Sequence, residues 1–268
     1  MMKFPIGFAI NDESKKADME PLAAQAVVPV KSLVQVYFPD RNQTFTYFND
    51  RFDLKCGDFV FVDGNLEGIR GIVRDVNRNF KIKVSFYKKV ISVADTNVSG
   101  QMHMAGSHLV SFDAAVLPYE KIRTWYLPPV NPEDAYDTGS DDTVFALDKV
   151  GDMKVSPAIR ERGRDYYKDN RVRYICVSDG RGRAIVVGKH AYEVEFDFAD
   201  GEIRNLFCSC PCGFACKHEA AAMMQLNETL ELINKHYADL HHGYFAAIVK
   251  VDLFRFVIDS HETGSFIL

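Results

Sequence analysis

The chain has 268 residues, 47% of them hydrophobic, with 32 basic and 37 acidic side chains for a formal charge of -5. That length and apolar share exclude a disordered chain and suffice for two ordinary domains, each with its own core. The acidic balance excludes blanket affinity for nucleic acid, so such a role needs a local basic patch, and no run approaches the ~18 apolar residues of a membrane span.

Taken in chain order, residues 1–30 mix charges (Asp12 to Lys16) with small residues and show no sustained period, as expected of a weakly ordered arm. The apolar stretch Phe4 to Ile10, broken by Pro5 and Gly7, is too short for a secretory signal core, so a cytoplasmic protein is expected. From Val34 the pattern changes. Short β-branched and aromatic runs at 34–38, 45–48, 59–62, 71–76 and 82–86 are separated by Pro, Asn, Asp and Gly. Five such strands predict a small β-barrel domain, assigned to residues 31–130. Gly57-Asp58 ahead of one strand, and the turn Gly64-Asn65-Leu66-Glu67-Gly68 ahead of the next, resemble the SH3-like or OB-like barrels found beside nucleic-acid enzymes, including the N-terminal module of primosomal helicases. That likeness spans about residues 31–92. Barrels of this size bind oligonucleotides, peptides or nothing, so the fold alone does not choose a ligand. Residues 93–130, with the sole tryptophan Trp125, read as a less regular tail to this domain.

The next stretch, 131–143, is rich in Asp, Glu, Gly, Ser and Pro and has little to bury, which is the composition of an acidic linker. A second domain, 144–268, follows. Ser156 before Pro157 supplies an N-cap and a first helical residue, predicting a helix over 157–170. Strands are expected over 173–177, 184–187, 192–198 and 203–207, with Ser178-Asp179-Gly180 and Ala199-Asp200-Gly201 as turns. The apolar end, 264–268, reads as an edge strand or as part of a longer chain.

In a reducing compartment six cysteines read as metal ligands before they read as disulfides, and four of them fall between 208 and 216. Cys56 and Cys176, each alone in an apolar strand pattern, are expected to be small buried hydrophobes. Side chains i and i+2 of a strand share a face, so Cys208 and Cys210 at a strand end reach a single ion. Pro211 ends the strand, Gly213 lets the chain reverse, Cys216 lies in the loop and His218 in the first turn of the next helix. Three thiolates and one imidazole fill the tetrahedron that Zn²⁺ prefers, leaving no position for water or substrate. A structural Zn²⁺ is therefore expected, with no catalytic residue, no enzymatic activity and no small-molecule substrate. The site's net charge of about -1 suits the positive end of a helix, and Lys217 reduces it further. Cys212, inside the spacer, offers an alternative tetrahedron in place of Cys210 or His218.

Met223, Leu226, Leu230, Ile233 and Tyr237 recur at helical spacing and would set one apolar stripe against the hairpin, giving a ββα unit. Asn227 before Glu228 has the chemistry of a cap, which would divide the stripe between two shorter helices. The fold class expected is α+β: an N-terminal small β-barrel domain plus a C-terminal ββα zinc-finger domain with a preceding helix and hairpin.

Cys208-Ser209-Cys210-Pro211 and Cys216-Lys217-His218-Glu219-Ala220 resemble the SWIM zinc finger, Cys-x-Cys followed by Cys-x-His, in its bacterial form. Arg162-Gly163, Tyr166, Val187-Gly188 and Tyr192-Glu193-Val194 match the flank before that finger, so the likeness covers about residues 150–235. The spacer between Cys210 and Cys216 is at the short end for the family. What the resemblance implies is a DNA-binding or protein-interaction module of the kind fused to chromatin-remodeller-type helicases and plant transposases.

Other chemistries fail on spacing. A deaminase zinc needs His-x-Glu and Pro-Cys-x-x-Cys, yet Cys212 and Cys216 are one residue too far apart and Tyr192 stands where Glu is required after His190. A phosphate loop needs Gly-Lys-Ser or Gly-Lys-Thr, whereas Gly188-Lys189 is followed by His190. His241-His242 reads as a solvated loop pair. Basic residues outnumber acidic ones over 154–183, and the nucleic-acid candidates there are Arg160, Arg162, Arg164, Tyr167, Lys168, Arg171 and Arg173. Arginines meet phosphates while interleaved tyrosines stack on bases, with DNA preferred to RNA as the partner. A solvated mixed-charge face is the competing account, and with it a protein-interaction adaptor whose partner is a helicase-type enzyme.

Overall fold

Strand-forming runs dominate the computed structural model of the chain, which describes residues 31–130, 144–259 and 266–267. The expected arm at 1–30, the acidic linker at 131–143 and most of the apolar end lie outside the described residues. The protein is mixed α+β, and its sheets are mostly antiparallel.

The first sheet has the order β2-β1-β4-β3-β5. It is built from β1 (Ser32–Phe38), β2 (Gln43–Asn49), β3 (Phe59–Val62), β4 (Gly71–Asn77) and β5 (Val90–Val93). Val34, Val36, Phe38, Val60, Val62, Val73 and Val90 share one buried core. The outer strands β2 and β5 curl toward each other, and the Phe48 N–H donates to the Lys88 carbonyl at 2.8 Å. The fifth strand is not the one expected. The run 82–86 alternates correctly, but Val84 to Phe86 make a single 3-10 turn, with Val84 43% and Phe86 77% exposed. Val90 and Val93 instead pair with Val62 and Val60 of β3. Alternation marks a segment that can lie on a sheet; the edge that receives it is decided by the neighbouring strand.

The second sheet has eight strands in the order β7-β8-β14-β10-β11-β12-β13-β9. Its members are β7 (His103–Ala105), β8 (His108–Ser111), β9 (Phe145–Ala146), β10 (Val172–Ser178), β11 (Arg181–Val187), β12 (Ala191–Ala199), β13 (Glu202–Cys208) and β14 (Phe245–Val249). It draws strands from both sides of 131–143, since Leu109 and Val110 of β8 pair with Ile248 and Ala247 of β14. Of residues 93–130, those beyond Val93, which ends β5, serve the second sheet rather than trailing from the first. Their apolar side chains, among them the fully buried Trp125 and Ile122 of α1 (Tyr119–Arg123), cover one face of the second sheet with Leu253 and Phe256 of α4 (Lys250–Asp259). Phe59 and Ile72 of the first sheet belong to the same cluster. Arg70 fastens that junction: it donates to the Trp125 carbonyl at 2.6 Å, and its guanidinium lies 4.4 Å from the Phe256 ring centroid and 5.1 Å from that of Phe59. The opposite face packs against α2 (Pro157–Lys168) and α3 (Lys217–His236).

A short parallel pairing joins β15 (Phe266–Ile267) to β6 (Gly100–Gln101) at the backbone. Cys176 is buried as expected, whereas Cys56 is exposed and its sulfur contacts the Arg74 carbonyl at 3.3 Å. The turn carrying Cys56 precedes β3 on the outside of the sheet, so an apolar sequence neighbourhood did not bring burial. No helix among the described residues is long and apolar enough to cross a membrane.

Candidate metal centre

The hairpin that delivers the cysteines is set by turn chemistry. Asp179-Gly180 (φ 50° and 77°) and Asp200-Gly201 (φ 53° and 78°) place two successive residues in the left-handed region, the geometry of a tight hairpin turn. In the resulting register Val194 of β12 faces Cys208, the last residue of β13. Between the two cysteines, Ser209 is locked to β12: its N–H donates to the Glu193 carbonyl and its hydroxyl accepts from the Glu193 N–H, both at 2.9 Å. The Glu193 carboxylate accepts two bonds from Arg123, at 2.7 and 3.1 Å, and one from the Tyr119 hydroxyl. A Cys-x-Cys corner at a sheet edge is thereby tied to α1.

Cys216 caps α3. Its N–H donates to the Glu219 carboxylate at 2.7 Å, and its sulfur faces the Glu219 N–H, a reciprocal capping box. His218 follows within the first turn. The helix then runs unbroken for 20 residues. Asn227 does not cap a second helix; it donates to Glu231 at 2.7 Å on the exposed face, an i,i+4 pair that lets the helix continue. Met223, Leu226, Leu230 and Ile233 form the buried stripe against the sheet. On the other side α2 crosses the first turns of α3 at Gly163, where a Cβ would lie 2.6 Å from that of Ala220 and 3.1 Å from the Lys217 carbonyl. Ser156 caps α2 through the Ile159 N–H at 3.3 Å.

These elements bring the donor atoms of Cys208, Cys210, Cys216 and His218 within 4.8 Å of one another, all four residues buried. His218 Nδ1 lies 3.7 Å from the sulfurs of both Cys208 and Cys216. Bonds of ~2.3 Å to sulfur and ~2.0 Å to nitrogen in a tetrahedron require donor separations of roughly 3.5–3.8 Å, which the two sulfur–nitrogen distances meet. The sulfurs argue the same way. A hydrogen bond from Cys208, aided by His218 and the Glu219 N–H, pulls the Cys216 thiol down to about 4. The Cys208 thiol is pushed up by its bond to Cys216 and by burial, and burial pushes Cys210 up to about 12. Three buried sulfurs this close ionise together only around a cation. Cys212 is exposed, outside the convergent group.

Rings surround the imidazole. Tyr192 stacks on His218 with centroids 4.6 Å apart and planes inclined 28°, Tyr166 meets its edge at 5.5 Å, and the Lys217 ammonium sits 4.5 Å from the Tyr166 centroid. The candidate nucleic-acid residues do not form one surface. Arg162, Arg164 and Lys168 are exposed on α2, Arg164 pairing with Glu161 at 3.2 Å. Arg160 is held by the carbonyls of Gly151 and Met153 at 2.6 and 3.3 Å, and Arg171 lies 3.9 Å from Asp169. Tyr167 packs beside α3, its hydroxyl pKa raised by burial and by Glu228. Arg173 belongs to the other face of the sheet, where it pairs with Asp252 of α4 at 3.6 Å. The bulge between Val172 and Tyr174 interrupts the alternation on which a shared face would depend. His241, in a loop, is partly buried against Phe112 and Phe245, and His242 is exposed. Sequence reasoning did not single out Phe214, 89% exposed in the loop between the ligand pairs; its signal was an aromatic residue in a spacer too short to bury it.

Compared with protein-family models, curated proteins and solved structures, the chain matches none.

Proposed function

We propose that the centre holds a structural Zn²⁺ in a SWIM-type unit, and that this unit binds nucleic acid, DNA ahead of RNA, as a non-catalytic accessory or targeting module of a helicase-type cytoplasmic system. The observation that carries the metal assignment is the buried convergence of three sulfurs and one imidazole nitrogen within 4.8 Å. The ligand order, two cysteines at a strand end and Cys-x-His at a helix start, is that of the SWIM pattern. Four protein ligands complete the tetrahedron, so the metal's work is to tie β13 to α3 rather than to activate a substrate. We read the five-stranded sheet as a closed small barrel, on the strength of the β2–β5 contact. The nucleic-acid assignment draws on the exposed Arg162, Arg164 and Lys168.

A second reading, a protein-interaction adaptor, is favoured by one feature: α2 also exposes Glu161 and Asp165 between its basic residues, with Asp169 exposed at its C-cap. Two measurements test these readings. Elemental analysis is expected to find one zinc per chain, and Cys216→Ser to lose it together with more than about 4 kcal/mol of stability. A Cys216→Ser protein that melts like the parent would end the metal assignment. Nucleic-acid affinity is expected to fall steeply with salt; no binding at low salt would leave the adaptor.

A further inference from the structure

The rings and cations nearest the proposed zinc form a second group beside α2, in which His218 is buried, Tyr166, Tyr192 and Lys217 are half-buried, and His190 and Lys189 are exposed. Tyr166, His218, Tyr192 and His190 follow one another as a row, with centroid separations of 5.5, 4.6 and 6.5 Å. Lys217 caps one end of the row at 4.5 Å from Tyr166. Lys189 and His190 are exposed on the β11–β12 turn. Gly188 seats that turn on α2: a Cβ there would lie 2.8 Å from the Tyr166 hydroxyl. Arg162, four residues before Tyr166 on α2, shares its face. Of the acids nearby, Glu193 is engaged with Arg123 and Tyr119 and Glu219 with the Cys216 N–H, while Asp165 is exposed beside Tyr166 and Asp169 lies 3.9 Å from Arg171. Phe214 stands 89% exposed on the loop between the ligand pairs, two residues before Cys216.

A large ring held in water has no packing reason to be there, and cations beside it favour an anion that also has a flat apolar face. We infer that single-stranded nucleic acid binds across the metal centre itself, with a base stacked on Phe214 and phosphates met by Lys189, Lys217 and Arg162. This rests on the nucleic-acid reading above and specifies its substrate class and location. In a duplex the bases are stacked on one another, so Phe214 finds no free face. The metal then has a second effect, because the strand–helix corner it fixes is the platform that holds Tyr192 and Lys217 in place.

The test uses the full chain loaded with zinc, a fluorescein-labelled oligothymidylate and a labelled duplex of equal length, with anisotropy read at two salt concentrations. Phe214→Ala is expected to weaken oligothymidylate binding about fivefold or more, with little change in salt slope. Lys189→Gln and Lys217→Gln together are expected to weaken it and to reduce the slope by about 1 to 2. Zinc content is measured on each variant. Should Lys217→Gln lose zinc, Lys189→Gln and Phe214→Ala, both on exposed turns, decide the matter alone. A parent that binds the oligomer while these variants bind equally well overturns this surface and leaves the nucleic-acid reading standing. A parent that binds neither probe overturns both, and a parent that prefers the duplex overturns the assignment to single strands.

Discussion

Glu193 does two separate things with two parts of itself. Its backbone exchanges two hydrogen bonds with Ser209, holding the corner between Cys208 and Cys210, while its carboxylate receives Arg123 and Tyr119. The ion pair is sheltered, the two side chains being 12% and 20% exposed. Burial and the neighbouring carboxylate both raise the Tyr119 hydroxyl pKa, so Tyr119 stays protonated and donating through the whole physiological range. Removing the charge alone, as in Glu193→Gln, leaves a half-buried guanidinium without its counter-ion. We expect a loss of about 2 kcal/mol in denaturant unfolding, below the ~3–5 kcal/mol of a fully buried broken pair because the site is only partly buried. The zinc proposed for the site should be retained, since the backbone bonds to Ser209 do not depend on the side chain. If zinc is lost as well, the two parts of Glu193 are not separable.

Two helices meet where one of them lacks a Cβ. At Gly163 the effects of adding a methyl group oppose each other: alanine favours a helix interior by about 1 kcal/mol, whereas overpacking costs about 1–3 kcal/mol. Here overpacking wins, because the atoms met are the Ala220 Cβ and the Lys217 carbonyl, neither of which turns aside like the end of a long side chain. Gly163→Ala is therefore expected to destabilise the protein and, through the Lys217 carbonyl, to loosen the first turn of α3 that carries His218. Ala220→Gly in the same chain should recover much of the loss; failure to recover would place the strain elsewhere. At this scale the sequence spoke clearly where the signal was local: Ser156-Pro157 at a helix start, the Asp-Gly turns, Cys208 at a strand end, and the stripe from Met223 to Ile233. It misled where the outcome depends on a distant partner. Nothing local in 82–86 or 90–93 says which of them β3 will accept. Asn227 looks like a cap until Glu231 and a full apolar stripe carry the helix past it, and Arg173 looks like a neighbour of Arg171 until a bulge re-aims the strand.

Non-local pairing carries the second sheet across the expected domain boundary. β8, from before residue 131, lies beside β14, from after the candidate metal ligands, and His108 marks the junction: it is fully buried on β8 and reaches the Val172 carbonyl of β10 at 2.9 Å. To donate to that carbonyl, Nε2 must carry the proton, leaving Nδ1 to accept from the Ser107 hydroxyl at 3.0 Å. Burial pushes the imidazole down to about 4, the Val172 bond opposing only in part; Arg173 and Lys250 lower it further and Asp252 raises it. The sign follows from which state takes the proton. An unfolded chain with an ordinary histidine near ~6.5 protonates first, so the contribution is constant above that pH and is lost as pH falls toward 4, by up to about 3 kcal/mol. With the proposed metal bound, proton competition at its ligands would destabilise the protein in the same direction, so the parent's acid limb alone does not isolate His108. His108→Gln keeps a donor for Val172 and cannot titrate, while the ligand chemistry is common to both proteins. Urea unfolding of the two between pH 7 and pH 4 should give curves that converge on acidification, the parent losing about 3 kcal/mol more than the variant; curves that stay parallel would show that His108 accepts a proton without unfolding this junction.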